Sequence, residues 1–106
     1  MLQIQNKEEF DKLIAHAELS VVDFYADWCG PCLAVAPVFT KLSEKPEFAS
    51  VHFAKLNIDL ESAKSVAEKY KIRSIPTFIA FQAGQEISRS HSIPEVEIIL
   101  KKHSSK

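Results

Sequence analysis

Apolar and polar positions alternate at the start of the chain, where Leu2 and Ile4 are separated by glutamine. This predicts a short first strand. Asn6-Lys7-Glu8-Glu9 then has the form of a capping box, with Asn6 as N-cap and Glu9 reaching back from the third helical position. Phe10, Leu13, Ile14 and Ala17 follow at helical spacing. Residues 19 to 26 are a near-continuous apolar run, the pattern of a strand covered on both faces. Leu33, Val35, Ala36, Val38, Phe39 and Leu42 predict a helix running to about Lys45. Pro37 falls inside it, where a proline removes one ladder bond and kinks the helix. Residues 51 to 58 read as a third strand, 61 to 70 as a short helix and 77 to 81 as a fourth strand. Ala83-Gly84 makes a turn into a more polar strand over 85 to 90, so a hairpin is expected. Ser92-Ile93-Pro94-Glu95 is a second capping box, opening a helix through Val96, Ile98, Ile99 and Leu100 to basic Lys101 and Lys102. Ser104-Ser105-Lys106 reads as a frayed end.

The predicted order is β-α-β-α-β-α-β-β-α, an α/β class. Early βαβ crossovers imply parallel strands and the late hairpin adds antiparallel pairing, so the sheet is expected to be mixed, with about four helices on its faces. At 106 residues, with 46% hydrophobic and 25% charged residues, residues 1–106 are expected to form one domain with a real core. A formal net charge of -1 and no basic block argue against a nucleic-acid or membrane-surface binder. No apolar run approaches the roughly 20 residues of a membrane span. The first residues lack a basic stretch leading into an apolar segment, so no signal peptide is expected and a cytoplasmic setting is the default.

In a reducing compartment, the two cysteines change the picture. Cys29 and Cys32 lie in Trp28-Cys29-Gly30-Pro31-Cys32, after the apolar strand and at the start of the helix. A two-residue spacer lets two thiols close a small disulfide ring, and a helix N-terminus lowers the pKa of the first. Such a pair in a cytosolic chain is catalytic or metal-binding rather than structural. A tetrahedral zinc site would have to recruit histidines from distant segments or a second chain. His16, His52, His91 and His103 are scattered in sequence and form no expected ligand set. Asp23 sits mid-strand among Val21, Val22, Phe24 and Tyr25. There desolvation should raise its pKa and fit it to accept a proton.

The chain resembles the thioredoxin family over nearly its whole length. Residues 22 to 32 look like the family's active-site strand and loop, 53 to 59 like its third strand, and 72 to 78 like its cis-proline segment. Pro37, five residues after the second cysteine, falls where the family kinks its active-site helix. The resemblance implies a thioredoxin fold and a protein-disulfide reductase. Cys29 is then the nucleophile, Cys32 the resolving thiol and Asp23 the buried base that assists it, with Lys55 tuning Asp23. Gly30 and Pro31 between the thiols imply the reducing direction, in contrast to isomerase-type domains with histidine beside the second cysteine. Pro76 is implied to be cis, with Ile75 offering backbone groups to an extended substrate and Trp28 adding a flat apolar surface beside Cys29. No bound cofactor is implied: electrons come from NADPH through a thioredoxin reductase and leave to protein disulfides, and a monomer is expected.

Three positions depart from the pattern. Leu33 stands where many members carry a basic residue, Ser90 replaces a usual apolar residue, and Ser92 falls about where the family has a glycine in the loop facing the site. A side chain there restricts close backbone approach, so Ser92 is counted with the substrate-binding residues. A redox-switched docking module and an isomerase or oxidase of the same fold are the competing readings.

Overall fold

The structure is a computed structural model that describes residues 1–104; the end expected to fray at Ser105 and Lys106 lies outside the described residues. Nine regular elements follow in the expected order: β1 (Leu2–Gln3), α1 (Lys7–Ile14), β2 (Ser20–Tyr25), α2 (Gly30–Ser43), β3 (His52–Asn57), α3 (Lys64–Lys69), β4 (Thr77–Gln82), β5 (Gln85–Ser90) and α4 (Ile93–Ser104). One sheet carries all five strands in the order β1-β3-β2-β4-β5. The first three are mutually parallel, and β4 runs antiparallel to both β2 and β5.

Side-chain alternation along β2 divides the core between the two faces of the sheet. Val22 and Phe24 meet Phe10, Leu13 and Ile14 of α1 and Val66 of α3. Val21 meets Phe39 and Leu42 of α2 and Val96 and Leu100 of α4. Asp23 has the parity of Val21, so it shares the face that α2 covers. Phe39 fastens α2 there, with its ring centroid 5.6 Å from Phe53 and 5.3 Å from Phe78. Burying a side chain of that size contributes about 1.5–3 kcal/mol. Phe39 lies seven residues beyond Cys32, two turns along the same helix face, so this packing also sets where the cysteines stand.

One helical expectation is corrected. The first helix ends at Ile14 and leaves Ala17 exposed in the following bend. The terminal carbonyls have other partners: Ser20 Oγ donates to Leu13 O at 3.0 Å, Gly84 N–H to Ile14 O at 2.7 Å and Ala83 N–H to His16 O at 2.9 Å. In α2, Leu33 and Val38 are exposed while Cys32, Phe39 and Leu42 are buried. A spacing of 3.6 residues per turn puts positions 32, 39 and 42 on one face and turns 33 and 38 away from it. The helix continues through Pro37 over 14 residues.

The Ala83-Gly84 turn has positive φ at both residues, 50° and 84°. This is the primed geometry that matches strand twist, and it is unfavourable for alanine. The two N–H contacts onto the end of α1 hold it. Replacing Ala83 by asparagine, which tolerates this conformation, is expected to raise stability by roughly 0.5–1 kcal/mol. Equilibrium urea unfolding measures it, and a loss of stability would contradict this reading of the turn.

Candidate active site

The strand-to-helix junction after β2 brings the cysteines together. Cys29 is the N-cap of α2, in extended conformation (φ -90°, ψ 109°), and its Sγ accepts the Cys32 backbone N–H at 3.2 Å. The sulfur thus occupies the place of the capping oxygen that commonly takes such an orphan N–H. Pro31 in the first turn lacks an N–H, which no intrahelical acceptor awaits there. Cys29 and Cys32 form a disulfide with Cα atoms 5.2 Å apart. Exposure hardly separates the pair, at 5% and 3%. Hydrogen bonding does, because Cys29 takes the helix N–H.

The Ile75–Pro76 peptide is cis, as the family resemblance implied. It sets Ile75 O 3.8 Å from Cys29 Sγ. Ile75 also packs with Tyr25 and Ile58 around Ala26 and the two cysteines. The Thr77 hydroxyl donates to Ser74 O and steadies the loop. His91 contributes from the far side of the loop, with Nδ1 3.3 Å from Pro76 O and 3.4 Å from Thr77 Oγ1. Ser92 is half-buried at the start of α4, its hydroxyl donating to Glu95 Oε1 at 3.2 Å, while the same carboxylate oxygen accepts the His91 N–H at 3.1 Å. The second capping box therefore closes as expected, one residue early for its backbone arm.

Trp28 is 70% exposed, which excludes a core-filling role. Its indole is pinned all the same, because Nε1 donates to Asp59 Oδ2 at 2.7 Å. Leu33, 59% exposed, adds a second apolar side chain near the disulfide. Asp59 and His91 are functional neighbours that sequence reasoning missed. A tryptophan N–H needs an acceptor, but nothing in the sequence singled out one 31 residues away. In sequence His91 is one of four scattered histidines, with nothing to mark it.

Beneath the helix, Asp23 is only 1% exposed and its Oδ1 has no hydrogen-bond partner among the described residues. Burial pushes its pKa up from 3.8 to about 7, and the Lys55 charge draws it partly back. Lys55 stands directly beside Asp23 in the β2–β3 register, half-buried, with Nζ 4.7 Å from the Tyr25 ring centroid. A strand-end lysine fully in water is thereby excluded. The site thus combines a dithiol–disulfide at a helix N-terminus, a cis-proline loop against it and a buried carboxyl group that titrates near neutrality.

Known proteins with this arrangement agree. The family model described as Thioredoxin matches residues 1–102. The chain belongs to the thioredoxin family. A thioredoxin of Coprinus comatus is 42% identical over 84 residues, covering 79% of this chain and 77% of its own. The crystal structure of Malassezia sympodialis thioredoxin superposes with a TM-score of 0.90 at 31% identity, over 99% of this chain and 92% of that one. Oxidised mitochondrial thioredoxin 3 of Saccharomyces cerevisiae gives 0.85 at 31% identity, over 96% and 94% of the two chains. Membership makes the chain a thiol–disulfide oxidoreductase whose redox-active centre is Cys29–Cys32. Thioredoxins act on protein disulfides and are in general re-reduced by thioredoxin reductase. Among the described residues no helix is long and apolar enough to cross a membrane.

The buried carboxyl group makes stability depend on pH in a defined direction. Its folded pKa is raised, so the native state binds the extra proton, and the ionised form disfavours folding increasingly as pH rises from about 4 through 7. A displacement from 3.8 to about 7 corresponds to on the order of 4 kcal/mol against the ionised form. Asp23→Asn is therefore expected to unfold at higher temperature than the parent at pH 8, with the difference vanishing near pH 4. Calorimetry across that range measures it. An equal difference at both pH values would contradict the assignment.

Proposed function

We propose that the chain is a protein-disulfide reductase in which Cys29 attacks and Cys32 resolves. The observation that carries this order is the Cys32 N–H directed at Cys29 Sγ. That bond and the positive end of the helix dipole favour a thiolate on Cys29 over one on Cys32. In the dithiol state the Cys29 thiolate attacks one sulfur of a substrate disulfide, forming a mixed disulfide and releasing a substrate thiolate. Cys32, deprotonated, then attacks Cys29 Sγ. This closes the Cys29–Cys32 disulfide and expels the second substrate thiolate, so two electrons pass from the dithiol to the substrate. Asp23 is the base for the Cys32 proton: a carboxyl group titrating at about 7 is partly ionised at neutral pH and basic enough to take a proton from a thiol. Lys55 keeps enough of it ionised to act.

Substrate recognition in this reading uses the cis-proline loop. An extended peptide lies along Ile75 and Pro76 with backbone hydrogen bonds, in the manner of an added strand. Trp28 and Leu33 flank it with apolar surface. Gly30 and Pro31 keep the segment between the sulfurs small and uncharged, and Ser92 limits how closely a partner backbone approaches α4. The dithiol is restored by a thioredoxin reductase that draws electrons from NADPH, and the chain itself holds no cofactor. We assign this electron transport to the cytoplasm, a compartment that keeps thiols reduced, and to a monomer.

Insulin-disulfide reduction with NADPH and a thioredoxin reductase tests the reading. The parent chain should sustain NADPH oxidation, Cys29→Ser should abolish it, and Cys32→Ser should accumulate covalent adducts with substrate through Cys29. Adducts forming through Cys32 in Cys29→Ser would reverse the order, and no turnover by the parent would refute the reductase.

A further inference from the structure

At the pole of the sheet opposite the disulfide, the fold assembles a group that sequence distance concealed. His16 follows α1, Glu18 precedes β2 and His52 opens β3. Two of the four histidines expected to be scattered, His16 and His52, are in fact neighbours. The His16 and His52 rings stack with centroids 3.9 Å apart and planes 10° from parallel. His52 Nε2 lies 3.3 Å from Glu18 Oε1, and one ligand atom from each of the three residues falls within 4.8 Å of the others. We propose that His16, Glu18 and His52 form a surface site for a divalent transition-metal ion of the zinc, nickel or copper class.

The donor set is the first argument. Two imidazoles and one carboxylate are the ligands these borderline ions prefer, and the same set is a poor match for calcium or magnesium, which take oxygen. Geometry is the second. Zinc–ligand bonds of about 2.0–2.1 Å at tetrahedral angles put ligand atoms roughly 3.3 Å apart, so a span of 4.8 Å closes by about 1.5 Å. The His52–Glu18 pair already stands at 3.3 Å. The stacked rings have to turn before their in-plane nitrogen lone pairs converge on one ion, and the His16 side chain is exposed.

The third argument is that the backbone beneath the ligands is held. His16 O accepts the Ala83 N–H at 2.9 Å from the hairpin, and His52 N–H donates to Leu19 O at 2.9 Å beside Glu18. The three side chains thus project from anchored positions, which lowers the ordering cost of bringing them onto one ion. Water fills the remaining coordination positions, and the site has no part in the dithiol chemistry.

Zinc titrated into the oxidised protein tests this, because the Cys29–Cys32 disulfide removes the only thiolates that compete. Calorimetry should give one saturable site per chain. His16→Ala and His52→Ala should each weaken binding by about tenfold or more. Glu18→Gln should weaken it too, and His91→Ala should leave it unchanged. His16 and Glu18 are exposed and His52 is half-buried, so the variants are expected to fold, and unaltered circular dichroism checks that they do. In the parent, zinc should move the imidazole nitrogen resonances of His16 and His52 but not those of His91 and His103. No saturable binding, affinity indifferent to His16 and His52, or shifts confined to His91 or His103 would overturn the site.

Discussion

The first turn of α2 carries backbone N–H groups with no partner inside the helix, and a sulfur stands where a capping oxygen usually does. This contact, Cys32 N–H to Cys29 Sγ, is the interaction on which the rest depends. It makes two otherwise equivalent cysteines unequal, because only one receives the helix N–H and the dipole's positive end. Everything around it serves to hold that turn in place. Phe39 locks the helix to the sheet two turns further on, and the cis Ile75–Pro76 peptide sets a carbonyl opposite the sulfur. Asp23 occupies the same sheet face beneath the helix. A carboxyl group there weakens the fold at neutral pH, so its presence is not explained by stability; in the mechanism we propose, its use in moving a proton is the compensating gain.

The two poles of the sheet differ in kind. At the dithiol pole the side chains that matter are buried or pinned: Asp23 in the interior, Trp28 tied to Asp59, His91 against the cis-proline carbonyl. Around Asp23 electrostatic effects are strong because water is excluded. At the opposite pole His16 and Glu18 are exposed and His52 is half-buried, and chemistry there depends on ligand type and spacing. One scaffold thus supports a buried redox centre and an exposed donor cluster without a shared residue.

Much of this was legible in the chain because local rules agreed with one another. Asn6 caps α1 as predicted, Glu9 N–H donating to Asn6 Oδ1 at 2.9 Å, while the Glu9 carboxylate reaches back one residue further, to the Gln5 N–H at 2.7 Å. The apolar run at 19 to 26 became the strand covered on both faces, and the solitary aspartate within it is buried as its neighbours required. What was not legible lay in contacts between distant segments. Ala17 has helical spacing, yet α1 stops before it because Ser20 and the 83–84 turn claim the terminal carbonyls. The partner of the Trp28 indole and the meeting of His16 with His52 join residues 31 and 36 positions apart, which periodicity cannot register.

The central claim is that the helix N-terminus distinguishes the two thiols, and titration of the reduced protein addresses it most directly. Thiolate absorbance near 240 nm, followed against pH in Cys32→Ser and in Cys29→Ser, reports each cysteine separately. The account predicts that Cys29 ionises clearly below the free-cysteine value of about 8.5 and that Cys32 ionises above it. Equal values for the two, or the lower value on Cys32, would contradict it.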